Sequence, residues 1–331
     1  MSFFGDELFR HVFEEFAIGG HEIVTLEQVT GQKKSFHASA EDRQKFADSV
    51  DFLLIGGGDL VRPDNPQINY WFPEYMGKPA ALFGVGVTQN SGKGPIEDTV
   101  KALQRFMQNP DLRLVHVRDI ESYNWIRDNI APSCRLLYSP DIVCALRLSE
   151  RRAALAPNPI PIFGIITRKT AQLDPNQNQK IRATLAHYKA QGWLTRAILL
   201  GTDSTLTDDQ ADFDRRGIEV DEVILRDSNT VLIDDVIGCD LLASMKFHGC
   251  VVGTMSGVPT ISWARTDKFR NFYRMIGREE LIAPLGGDQT AALLQQGIAP
   301  LDPQSLHRVA IEARMALGEL RVLLDETARY L

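Results

Sequence analysis

Apolar residues occur in two alternating textures along the chain. Short runs rich in Val, Ile, Leu and Phe end in Gly, Asp or Pro, and longer segments carry apolar positions three and four apart. The runs "DFLLIGGG" (51–58), "KPAALFGVGV" (78–87), "LRLVHVRD" (112–119) and "RLLYSPD" (135–141) read as strands. Each is nearly all apolar before its turn, as strands buried on both faces are. Helix-period segments at 96–108 and 119–129 lie between them. This alternation predicts βαβ units and a parallel, doubly wound sheet.

The stretch "LSERRAALAPNPIP" (148–161) is charged, then Pro-rich, and has no strand pattern, so the domain boundary is expected there. A second series follows, with strands at 160–168, 195–202, 217–224, 239–245 and 258–263 and helices at 176–191, 204–216, 228–238, 247–256 and 266–277. The reading is α/β with two doubly wound, Rossmann-like domains, at 1–150 and 160–302. A helix follows in 303–331, with Leu306, Val309, Ala310, Ala313, Leu317, Leu320 and Leu324 on one face. At the other end "FFGDELFRHVFEEF" reads as a helix capped by Asp6. A doubly wound domain normally opens on a strand, so the first strand is expected to be short or missing.

Composition narrows the function classes. A chain of 331 residues suits two cores better than one. Net charge is −7, from 36 basic and 43 acidic residues, which argues against a nucleic-acid partner. No apolar run is long enough to span a membrane, and no secretory leader pattern opens the chain. Cys134, Cys144, Cys239 and Cys250 lie in apolar runs without CxxC spacing and read as buried thiols in a reducing cytoplasm. The seven histidines form no HxH or HExxH, so no metal site is expected.

In open α/β sheets ligands bind outside the carboxyl ends of strands. Five turns stand there: "GGGDL" (56–60), "GVGVTQNSG" (84–92), "RDIES" (118–122), "TRK" (167–169) and "KFHG" (246–249). Gly57 and Gly58 allow a ligand, or simply a neighbouring loop, to approach the backbone beside Asp59. Neither glycine turn is a nicotinamide fingerprint: after Gly84 and Gly86 the third glycine position holds Gln89. No P-loop and no Gly-x-Ser-x-Gly elbow is present. Arg118 can grip a phosphate or carboxylate, or pair with Asp119 at a helix start. Arg168 repeats that geometry in the second half. His248 stands at a helix N-terminus, where anions are favoured, and Lys246 lies two residues earlier. In "WARTDKFRNFYRMIGR" (263–278) Lys268 lies nearest a strand end; Arg274 and Arg278 read as an ordinary amphipathic surface.

These turns, in this order, resemble the polysaccharide pyruvyl transferase family over most of the chain: "FFGDEL", "GGGDL", "GVGV", "RDIES", "SPD" (139–141), "TRK", "DLLASMKFHGCVVGTMSGVPTIS" and "TDKFRNF". The last two are the most specific. Family members carry Arg-x-His where Lys246-Phe247-His248 stands, then Gly-Val-Pro, then a lysine at the place of Lys268. Lysine at 246 keeps the charge and loses the bidentate fork. The resemblance implies a glycosyltransferase B-like arrangement with the active site in an interdomain cleft and the last helix crossing back to the first domain. It implies a transferase that moves the enolpyruvyl unit of phosphoenolpyruvate onto two hydroxyls of one sugar, giving a cyclic ketal and phosphate in exopolysaccharide or cell-surface polysaccharide biosynthesis. His248 and Arg118 would then be catalytic, with Lys246, Lys268, Arg168, Gly57, Gly58 and Asp59 binding substrate. No cofactor is expected. The partners are phosphoenolpyruvate and a saccharide acceptor, lipid-linked or free, which leaves open a peripheral contact of 265–278 with the inner face of the membrane. A glycosyltransferase or sugar-nucleotide epimerase of the same shape would also place basic residues and Gly-rich turns in a cleft. A non-catalytic relative that binds a glycan is a third reading.

Overall fold

The computed structural model describes residues 4–32, 37–66, 72–88, 94–169, 174–201, 204–226, 228–284, 293 and 297–329. The turn residues 89–92 of "GVGVTQNSG", Gln89 among them, lie outside the described residues. The chain divides into two compact units. One comprises Phe9–Ile142 with Ile311–Leu331, here the N-terminal unit; the other comprises Met1–Leu8 with Val143–Ala310, the C-terminal unit.

In the N-terminal unit four parallel strands, β1 (Leu53–Val61), β2 (Ala80–Val87), β3 (Leu112–Val117) and β4 (Arg135–Tyr138), pair in chain order. One face carries α4 (Glu97–Met107) and α5 (Ile120–Asn129), which close a core of Leu82, Val85, Leu103, Phe106, Val115, Val117 and Ile126. The other face meets α1 (Phe4–Phe16), whose Phe13 stands edge-on to Phe83 at 6.0 Å. Helix α1 runs from Phe4, so Asp6 lies within it and not ahead of it. Two short helices, α2 (Leu26–Thr30) and α3 (Ala40–Asp48), precede β1.

In the C-terminal unit β5 (Ile162–Ile166), β6 (Leu194–Ile198), β7 (Glu222–Ile224), β8 (Leu241–Ser244) and β9 (Thr260–Ser262) are all parallel, in the order β7-β6-β5-β8-β9. Phe163, Ile165, Leu241 and Ala243 point to one side, into a core with Ile181, Leu185 and Tyr188 of α7 (Pro175–Ala190) and Phe213 of α8 (Ser204–Arg216). Their strand neighbours point to the side of α9 (Asn229–Ile237) and α10 (Phe247–Met255). The expected boundary at 148–161 moves to Ile142/Val143. The reason is packing: α6 (Leu148–Ala153) belongs to the C-terminal unit, where Arg151 holds Asp234 of α9 through two hydrogen bonds of 2.5 and 2.8 Å.

After α11 (Asp267–Met275), the last helix, α12 (Pro303–Ala328), contributes to the C-terminal unit through Ala310 and to the N-terminal unit from Ile311. Within the N-terminal unit its Glu319 meets Arg135 of β4 at 2.7 Å, and its Asp325 meets His21 at 3.0 Å. No described helix is long and apolar enough to cross a membrane.

Helix α10 turns two glycines, Gly249 and Gly253, toward the sheet. A Cβ on Gly249 would stand 2.6 Å from Ser244 Oγ and 2.7 Å from Ile166 Cδ1; one on Gly253 would stand 2.5 Å from Thr260 Oγ1. Ser244 Oγ is fixed by its own bonds to the Lys246 backbone, so it cannot move aside cheaply. Gly249→Ala is therefore expected to lower stability by about 1–3 kcal/mol through overpacking. Urea unfolding checks this, and an unchanged midpoint would contradict the close contact.

Candidate functional site

The strand order of the C-terminal unit reverses between β5 and β8. The chain leaves β5 toward β6 and leaves β8 toward β9, in opposite directions. Right-handed crossovers then send the two following helices to opposite faces, and a crevice opens at the carboxyl ends of the strands. The residues that emerge there are Arg168 and Lys169 after β5, Lys246 and His248 after β8, and Lys268 beyond β9.

Local chemistry explains how these side chains are held. Ser244, the last residue of β8, donates its hydroxyl to Lys246 O at 2.8 Å and accepts from Lys246 N at 3.0 Å, tying the turn. Ser262 at the end of β9 does the same with Ala264. Lys246 is the N-cap of α10 in extended geometry and makes no side-chain cap bond, so its ammonium is directed elsewhere. It donates to Asp209 of α8. His248 occupies the first turn of α10, half-buried, where the helix dipole favours an anion. Phe247 between them is buried against Phe269 and Phe272 of α11, and Lys268 Nζ stands 5.6 Å from the centre of its ring. The structure thus gathers Arg168, Lys246, His248 and Lys268 from three strand ends of one sheet.

Behind them lies a charged layer inside α8. Fully buried Arg216 donates to Asp212 (2.7 Å), Asn178 (3.1 Å) and the carbonyl of Arg168 (2.9 Å), which fixes the backbone of the turn after β5. Burial pushes the Lys246 ammonium below the usual lysine range, and Arg168 adds to that, against the opposing pull of Asp209. Burial likewise raises Asp209, with Lys246 opposing and Asp212 and Asp208 adding to the rise. For both partners desolvation exceeds what the pair returns.

The N-terminal unit carries a second network. Arg118 follows β3 and is almost wholly buried; its guanidinium donates to Asp59 and stands 3.5 Å from Asp141. Burial alone would lower its pKa, but Asp59, Asp141 and Asp119 outweigh burial, so the net shift is upward. Gly86 makes room for it, because a Cβ there would stand 2.8 Å from Arg118 Nε. Gly57 and Gly58, at φ +83° and +84°, adopt a conformation that suits glycine, and a Cβ at Gly57 would collide with Phe9 at 2.5 Å. Asp119 does not spend itself on Arg118 alone: it caps α5, accepting from Ser122 N at 2.7 Å.

One buried histidine in this unit was not anticipated. His116 stacks on Phe83 at 4.2 Å, accepts at Nδ1 from Gly84 N (3.1 Å) and bonds Ser139 Oγ through Nε2 (2.9 Å). A backbone N–H can only donate, so the ring's proton is on Nε2 and is given to Ser139, which donates onward to Pro140 O at 2.9 Å. With that tautomer His116 cannot take a proton from Ser139, so the Ser–His contact is not a nucleophile and its base. Burial holds the imidazole neutral, with its pKa lowered to about 3.

The segment 265–278 differs from expectation. Phe269, Phe272 and Tyr273 are buried, with Tyr273 donating to Thr260 O at 3.0 Å. Arg270, Arg274 and Arg278 meet Asp267, Glu279 and Glu280. Its aromatic residues belong to the core, and Arg270, Arg274 and Arg278 are paired with neighbouring carboxylates. Among the described residues no His, Cys, Asp and Glu side chains are grouped so as to hold a metal ion.

Comparison with known families decides the lineage: the polysaccharide pyruvyl transferase model matches residues 4–266. The chain belongs to the polysaccharide pyruvyl transferase family. Membership supports a transferase that acts on saccharide. No curated protein matches the chain by sequence. Among solved structures, UDP-N-acetylglucosamine 2-epimerase from Rickettsia bellii is similar over 98% of this chain and 88% of its own, at 11% identity and a TM-score of 0.56. An α,α-trehalose 6-phosphate synthase from Burkholderia multivorans is similar over 97% and 79%, at 11% identity and a TM-score of 0.50. The chain also spans 58% of a chain in the Streptococcus pneumoniae accessory secretory protein structure, at 12% identity and a TM-score of 0.47. At these identities the likeness is one of fold, the glycosyltransferase B type of α/β protein. In this pyruvyl transferase family member the motif residues Lys246, His248 and Lys268 share one sheet end, and Arg118 sits in the other unit. Asp209, His116 and Arg216 escaped the sequence reading, and Asp141 entered it only within "SPD"; "DDQADFDRR" was the available signal for Asp209 and Arg216.

Two outcomes follow from the N-terminal network. The His116 value in the folded chain lies below that of the unfolded chain, about 6.5, so the unfolded state binds the proton first. Stability from neutral His116 is present above that value and is lost as pH falls toward about 3. The advantage of wild type over His116→Gln in urea unfolding should therefore shrink steadily across that window; a constant gap would contradict a buried neutral imidazole. Arg118→Met, which leaves Asp59 and Asp141 without their shared cation, should cost about 3–5 kcal/mol, read as a fall in unfolding midpoint.

Proposed function

We propose that this protein transfers the enolpyruvyl group of phosphoenolpyruvate onto two hydroxyls of a sugar residue, forming a pyruvate ketal and releasing phosphate. Family membership supports the reading, and the observation that carries it is the gathering of Arg168, Lys246, His248 and Lys268 at one sheet end. A donor with a carboxylate and a phosphate loses its hydration on binding, and several cations must replace it.

The chemistry balances without redox. One hydroxyl oxygen adds to C2 of the donor while C3 gains a proton and becomes a methyl group. The second hydroxyl oxygen then displaces phosphate from C2. The C2=C3 π bond, two O–H bonds and the C2–O bond to phosphate break; two C–O bonds and one C–H bond form, and the remaining proton leaves on phosphate. His248 supplies the proton to C3 as the general acid. Lys246, Arg168 and Lys268 offset the donor's charge. On the resemblance, Arg118 also acts on the donor, held rigid by Asp59 and Asp141. The acceptor is a saccharide of a surface polysaccharide, lipid-linked or free.

The test is phosphate release from phosphoenolpyruvate against a panel of glycosides and lipid-linked saccharides. Release with ketal formation is expected, and His248→Ala should lower turnover by about 100-fold or more with unchanged thermal stability. Full activity in that variant would sink the mechanism. Thermal protection by a uridine diphosphate sugar and none by phosphoenolpyruvate would favour a sugar-nucleotide enzyme instead. Saccharide binding without phosphate release would mark a non-catalytic relative.

A further inference from the structure

The pairing of Lys246 with Asp209 is not required by the fold. Lys246 leaves the end of β8 and could reach solvent, yet its side chain is only 20% exposed, and that of Asp209 8%. The other charges around the pair are already engaged. On α8, Asp208 meets Lys169 at 2.9 Å, and Asp212 meets Arg215 at 2.5 Å and Arg216 at 2.7 Å. Arg168, after β5, lies close enough to bear on Lys246 as a like charge. His248 stands two residues on, in the first turn of α10.

We propose that Asp209 is the positioning residue that keeps Lys246 charged and in place for an anionic donor. The proposal rests on the donor reading above. A lysine this enclosed and beside an arginine loses its proton more readily than a free one, because burial and a like charge both disfavour the charged form. A neutral amine binds neither a carboxylate nor a phosphate strongly. Asp209 supplies the opposite charge that holds the proton on Nζ while the site is unfilled. Its single-point contact suits a lysine, whose compact ammonium can turn part of its hydrogen-bonding capacity to an incoming anion. Asp212 adds to the negative charge that Lys246 feels while its two oxygens accept from Arg215 and Arg216.

The experiment uses the full chain as wild type, Asp209→Asn and Asp209→Glu. Calorimetry measures binding of phosphoenolpyruvate and of inorganic phosphate at acid, neutral and alkaline pH. In parallel, the rate at which an amine-reactive reagent modifies Lys246 is followed across pH by mass spectrometry. Asp209→Asn should expose a reactive amine at lower pH than wild type does. Its phosphoenolpyruvate affinity should approach wild type at acid pH and fall at alkaline pH by about tenfold or more relative to wild type, one factor of ten for each unit between pH and pKa. Asp209→Glu should restore both. A role confined to packing α8 would lower thermal stability without any pH-selective loss. An Asp209→Asn protein whose Lys246 labelling follows the wild-type pH profile overturns the proposal. If labelling shifts as expected but neither anion binds wild type, the pairing stands and the donor reading fails.

Discussion

Everything distinctive about the C-terminal unit depends on one topological constraint: the sheet changes direction between β5 and β8. Parallel strands joined by right-handed crossovers leave no choice about which face each helix covers. Where the direction reverses, the strand ends cannot be covered by a crossover, and polar residues can stand there without displacing core. The glycine-lined approach of α10 sharpens this, because Gly249 brings the helix start down onto Ser244 at the end of β8, while Gly253 further along packs on Leu242 and on Thr260 at the start of β9. The serines that close those two strands then tie the following turns to their own backbones. The cluster of cations is in this sense a consequence of sheet order, small residues and two hydroxyls.

Electrostatics in both units follows a common rule. A cation removed from water is given a carboxylate: Arg118 has Asp59 and Asp141, Arg216 has Asp212, Lys246 has Asp209. The two kinds of cation respond differently. Arginine stays charged under burial, and Arg118 is if anything held more firmly protonated. Lysine does not, and Lys246 is drawn toward neutrality even with its partner in place. Arg118 is thus suited to a fixed role and Lys246 to one that changes when an anion arrives.

The strands were legible in the sequence because strands buried on both faces must be nearly unbroken apolar runs, and "KPAALFGVGV" and "CDLLASM" are such runs. The basic turns were legible because cations directly after those runs have no packing use. Asp209 was not, since "DDQADFDRR" has the look of a solvated helix face and only tertiary packing buries it. His116 was hidden for the same reason, inside a run that reads simply as β3. In segment 265–278, Phe269, Phe272 and Tyr273 at spacings of three and four mark a core stripe as readily as an interfacial one, and in the fold all three are buried. The boundary at 148–161 misled because proline marks a loop, whereas membership of a unit is settled by contacts such as Arg151 with Asp234.

The central claim is that the reversal point of the C-terminal sheet is the anion site. A crystal of the full chain soaked with phosphoenolpyruvate tests it most directly. The account predicts the donor's phosphate or carboxylate within hydrogen-bond distance of Lys246 Nζ and the first turn of α10. Well-ordered donor elsewhere on the protein, with the ends of β5 and β8 holding only water, would contradict it.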